Sequence, residues 1–126
     1  MAKAVGIGGL FFRAEDPQVL AQWYERHLGV SDMSKAVWQQ QEGPTIFASY
    51  PKATDYWGPR EQKWMINFRV DDLDGLIAEL REAGVQVETR EEWNSYVGRF
   101  ARIHDPEGNP IELWEPTDQS TWQEHG

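Results

Sequence analysis

The chain contains no cysteine, which excludes disulfides, thiolate metal sites and thiol nucleophiles. Positive charge is scarce as well: 12 Lys and Arg stand against 21 Asp and Glu, a formal net charge of −9. Nucleic acid and anionic membrane surfaces are therefore poor partners, and a neutral or cationic small ligand suits the chain better. Nowhere do the roughly 18 consecutive apolar residues of a membrane span run together. The first ten residues carry one Lys and a Gly-broken apolar run, unlike a secretory signal, so a cytoplasmic protein is expected. The three histidines, His27, His104 and His125, are too scattered to make a metal site by spacing.

Apolar material is plentiful. Hydrophobic residues make up 40% of the 126 positions and aromatics 13%, with seven Trp, enough to offset the entropy of ordering one domain. A single domain over residues 1–126 is expected. Its internal order is a repeat: Phe12-Arg13-Ala14-Glu15-Asp16, then Leu20, is echoed by Phe68-Arg69-Val70-Asp71-Asp72, then Leu76, at the same offset. After the first echo, Asp16 can cap a helix that opens on Pro17, carries Val19, Leu20, Trp23, Tyr24 and Leu28 on one face, and stops at Gly29. After the second, Asp72 or Asp74 can cap a helix with Leu73, Leu76, Ile77, Leu80 and Ala83 as its stripe and Gly84 as its stop.

Strand-like runs precede each helix at residues 5–13 and 64–70. Others follow at 35–41 and 46–50 in the first half, with a third strand short or irregular, and at 85–90, 97–104 and 111–115 in the second. The last two are joined by the turn sequence Asp105-Pro106-Glu107-Gly108-Asn109-Pro110. The expected organisation is an α+β protein of two βαβββ modules, at about 5–50 and 64–116, joined by a connection at about 51–63 and followed by a polar tail at 117–126. Tyr56 and Trp57 suggest that the connection packs, and Trp122 gives the tail one residue that could dock.

The repeat, the Trp23-Tyr24 pair before Leu28-Gly29 and the closing Asp105-Pro106-Glu107-Gly108-Asn109-Pro110-Ile111-Glu112-Leu113 together resemble the vicinal oxygen chelate superfamily, which includes glyoxalase I, extradiol dioxygenases and bleomycin-resistance proteins. The resemblance covers about residues 5–116 and implies a partly open, mostly antiparallel cup with helices outside. It also implies a divalent metal in the cup of catalytic members. The ligand positions so implied fall here on Gly9, which has no side chain to offer, on Met65, whose thioether suits hard cations poorly, on Glu112, and near residues 47–50, where no His, Glu or Asp is in register. Only Glu112 matches, so no cofactor is expected and a divalent metal is disfavoured. Bleomycin-resistance proteins are relatives that bind a ligand without metal. The resemblance further implies a homodimer.

Strand alternation assigns the faces. Ile66, Phe68 and Val70 should meet the helices, leaving Met65, Asn67 and Arg69 towards the cup, with Arg13 as the repeat-related counterpart of Arg69. Two arginines can grip a carboxylate or phosphate, or simply pair with nearby acids. Phe100, Arg102 and His104 share the cup side of their strand, and Glu112 and Trp114 the cup side of theirs. Glu112 reads either as an ion-pair partner of an inward Arg such as Arg102 or as a catalytic base or ligand contact. His104 reads as a rim residue or a ligand contact, and Tyr96 as a pocket-edge aromatic. His27 near a helix end should complement the helix dipole.

The reading that follows is a protein binding a small organic molecule, with a cationic ligand suited to its charge, through Arg13, Met65, Asn67, Arg69, Tyr96, Phe100, Arg102, His104 and Trp114, with Glu112 the one candidate catalytic group. The alternative is a metal-dependent lyase, isomerase or dioxygenase. A scaffold whose cup is filled by its own side chains is the third.

Overall fold

The structure, a computed structural model, describes residues 2–118. Two helices form where capping and period agree. Helix α1 spans Pro17–Leu28; the Asp16 carboxylate accepts the Val19 N–H at 3.2 Å, and Pro17 opens the first turn, where its missing N–H costs nothing. Gly29, at φ 71°, ends it, donating to the Glu25 carbonyl at 3.1 Å. Helix α2 spans Leu73–Glu82, capped by Asp72 through the Gly75 N–H at 3.0 Å. Asp74 is thus not the cap but an acid of the first turn.

Strand β1 (Ile66–Arg69), β2 (Gly98–His104) and β3 (Pro110–Pro116) form an open three-stranded sheet in the order β1-β3-β2. β3 runs parallel to β1 and antiparallel to β2. Residues alternate along these strands as sheet geometry requires. Ala101 and Ile103 of β2 and Ile111 and Leu113 of β3 lie fully buried beneath Leu20 and Tyr24 of α1 and Leu73, Ile77 and Leu80 of α2. Ile66 and Phe68 pack against this cluster from β1. The chain is therefore a mixed α+β fold with an open sheet and its helices packed on one face.

The turn after β2 ties the two halves together. Asp105, nearly fully buried, accepts the backbone N–H groups of Glu107 and Asn109, the Asn109 side-chain amide at 2.8 Å and the Tyr24 hydroxyl at 2.7 Å. Glu107 reaches back to the start of α1, accepting the N–H groups of Glu15 at 2.8 Å and Asp16 at 3.1 Å. The most family-like run in the sequence is thus an anchor for the first helix.

The first half departs from expectation. Residues 5–13, 35–41 and 46–50 form no strand, so the first βαβββ module is not built as a ladder, and several apolar side chains of these runs face solvent: Val5 is 92% exposed, Phe11 94% and Phe47 90%. Composition gives a segment strand propensity, but a strand exists only with a partner edge, and the described residues offer none to these runs. Instead, Arg69 donates to the carbonyls of Gln41, at 2.6 Å, and Pro44, holding the 41–44 backbone by its side chain. In the second half the expected strand at 85–90 contributes a single bridge, Glu88 to Arg102. Trp122 and His125 lie outside the described residues.

Candidate functional site

The sheet face turned away from the helices carries the chemistry. Register places Asn67 of β1 and Arg102 of β2 on either side of Glu112 of β3, and Arg69 and Phe100 on either side of Trp114. Phe100 and Trp114 stack with ring centroids 6.1 Å apart and planes within 2°. Trp114 is buried outside the helix-side cluster, and its indole N–H donates to the Val97 carbonyl at 3.1 Å.

Glu112 is almost fully buried and fully engaged. One carboxylate oxygen accepts the Tyr56 hydroxyl at 2.6 Å and the other the Asn67 amide at 2.8 Å. The ion pair with Arg102 that the sequence allowed is not formed, although the two residues are direct partners across the ladder. Arg102 instead donates through Nη1 to the Tyr56 carbonyl at 3.1 Å and lies over the rings of Tyr56 and Trp93. Burial, then the bond to the Glu112 carboxylate, pushes the Tyr56 phenol well above its ordinary range, so it stays protonated and donates.

The other expected site residues divide. Arg69 is spent on the 41–44 backbone. Arg13 is exposed in the extended N-terminal segment and makes no hydrogen bond or ion pair among the described residues, so the two repeat-related arginines do not converge. Met65 is half-buried just before β1, Tyr96 is exposed, and His104 is exposed at the rim of an open groove of about 650 Å³ that Arg102 and Glu88 also line. His27 sits in the last turn of α1, where burial, then Arg26, lowers its pKa, and its ring lies 5.1 Å from Trp23. Sequence reasoning missed Tyr56 as a site residue. The available signal was the aromatic content of the connection, where Tyr50 stacks on Tyr56 at 5.8 Å.

A model of the glyoxalase-like domain matches residues 9–114. The chain belongs to the glyoxalase-like domain family. Among the proteins it resembles is YraH of Bacillus subtilis (strain 168), 34% identical over 62 residues, 46% of each chain, so the match spans about half the length of that relative. TnmS3, an antibiotic binding protein from Streptomyces sp. CB03234, aligns over 92% of this chain and all of its own, with 25% identity and a TM-score of 0.58. A glyoxalase/bleomycin resistance protein from the same source is 36% identical over 43% of this chain and 46% of its own, at a TM-score of 0.37.

The metal of catalytic glyoxalase-like folds does not fit the donors present. Gly9 and Met65 supply no hard ligand, both oxygens of Glu112 are occupied by Tyr56 and Asn67, and among the described residues no three His, Asp or Glu side chains come close enough to share an ion. Nor is any helix among the described residues long and apolar enough to cross a membrane.

Proposed function

We propose that this glyoxalase-like protein binds a small organic molecule, without a metal, on the sheet face bearing Glu112, Arg102 and the Phe100–Trp114 stack. The observation that carries the reading is the state of Glu112. A buried carboxylate held by a phenol and an amide is a fixed polar group beside aromatic surface, which is how ligand sites set orientation. The full-length likeness to TnmS3, an antibiotic binding protein, supports the same class of function. A lyase, isomerase or dioxygenase built on a bound metal would need ligands that the face does not provide. The protein acts in the cytoplasm as a homodimer on this reading.

A thermal-shift screen of small organic molecules tests it, because a ligand of the folded state alone raises the melting temperature. Hits whose effect disappears in Phe100→Ala support the reading; hits indifferent to that change, or none, overturn it. Elemental analysis after exposure to manganese, zinc, nickel and iron(II) and desalting tests the metal-free part. One ion retained per chain and lost in Glu112→Ala would refute it.

A further inference from the structure

Arg102 is 7% exposed, and its Nε and Nη2 are buried with no hydrogen-bond partner among the described residues. Its Cζ lies 4.9 Å from the Tyr56 ring centroid and 5.1 Å from that of Trp93. Those rings meet at 79°, so the guanidinium occupies an aromatic corner. The ring faces offset part of the cost of burying the charge. They do not give two N–H groups the directional acceptors that buried donors require, and leaving charged donors unpaired is costly.

Neither neighbouring carboxylate fills the gap. Glu112, the partner on β3, is taken by Tyr56 and Asn67. Glu88, the bridge partner on the other side, turns to Arg90, its Oε2 lying 2.8 Å from Nε and 2.7 Å from Nη2, and forms no ion pair with Arg102. The two unpaired nitrogens of Arg102 share one edge of a rigid plane, and that edge matches the two oxygens of a single carboxylate.

We infer that the molecule bound on this face is a carboxylic acid, aromatic by its surroundings, whose carboxylate takes the Nε and Nη2 edge of Arg102. The inference rests on the binding reading above and names its ligand class. It departs from the cationic ligand that the net charge suggests. Charges beyond about 10 Å are largely screened by salt, so the local pair decides. Arg102 lines the open groove of about 650 Å³ that Glu88 and His104 also line, and the acid approaches from there.

Calorimetric titration of the full chain with benzoate, benzamide and benzylammonium tests this. Benzoate should bind, benzamide, its uncharged near-isostere, roughly tenfold or more weakly, and benzylammonium no better than benzamide. In Arg102→Lys, which keeps the charge but loses the planar fork, the preference for benzoate over benzamide should shrink several-fold. Benzoate binding no tighter than benzamide to the wild-type protein would overturn the inference, and that comparison needs no variant to fold. If benzamide still binds in that case, the face binds small molecules and only the carboxylate assignment fails. If none of the three binds, the carboxylate assignment fails, and the library screen decides the broader reading separately.

Discussion

Taking the hydroxyl from Tyr24 would leave a buried Asp105 short of one of the donors that hold it, while the ring would keep its place in the core. Loss of a buried bond to a carboxylate costs about 1–3 kcal/mol, so Tyr24→Phe should lower stability in urea by that amount with little change in fold. The same bond has a pH signature. Burial first, then Asp105, raises the Tyr24 pKa above its ordinary value of about 10. A group raised on folding stabilises fully below its unfolded pKa, and that contribution is lost as pH rises past it. Wild-type stability should therefore begin to fall above about pH 10, and the fall should be shallower in Tyr24→Phe, read from urea midpoints across alkaline pH. Tyr56, raised by burial and by Glu112, adds a second component with the same sign, which Tyr56→Phe would remove.

Among the elements, the hairpin of β2 and β3 is where packing tolerates least. Gly98 opens β2 at φ 151°, a conformation that L side chains rarely adopt, and a Cβ there would press on the Glu115 carbonyl and the Trp114 indole. Gly98→Ala should destabilise by roughly 1–3 kcal/mol and disturb the near-ultraviolet dichroism of Trp114, while Asp16→Ala, which removes only the α1 cap, should cost about 0.5–2 kcal/mol and leave that signal alone. The helices were legible in the sequence because their determinants are local: Asp16, Pro17 and Gly29 sit where α1 begins and ends. The face assignment was legible for a similar reason, since alternation along β1, β2 and β3 is set once the strands exist. Residues 5–13 and 46–50 are strand-like in composition as well, but a ladder depends on a distant edge that no run of sequence displays. Tyr56 was hidden in the same way. Nothing near it in the chain says that its hydroxyl ends on Glu112, whereas Glu112 itself stood out as a charged residue on the inward side of an apolar strand.

At the scale of the molecule, a well-packed half carries an ill-covered one. Many of the exposed apolar positions of the first half, Val5, Ile7, Leu10 and Phe11 before α1 and Ile46 and Phe47 after it, lie in two strand-like runs whose backbone forms no ladder among the described residues; Val19, Met33 and Val37 are exposed outside them. Clustered apolar exposure of this kind is rare on monomers and marks surfaces that are covered on association. The homodimer proposed for this chain would cover them, each copy lending the other the edge that a single chain lacks. Light scattering should then give about twice the 14.6 kDa chain mass, and Phe11→Asp with Phe47→Asp should shift the mass towards one chain, because a charge buried in an apolar interface without a partner is strongly disfavoured. The hairpin, α2 and the Arg102–Tyr56–Glu112 cluster make their contacts within one copy, so the dissociated variant should keep its helical dichroism. A mass near one chain for the wild-type protein would sink the dimer, and the exposed runs would then have to be covered by rearrangement within the chain.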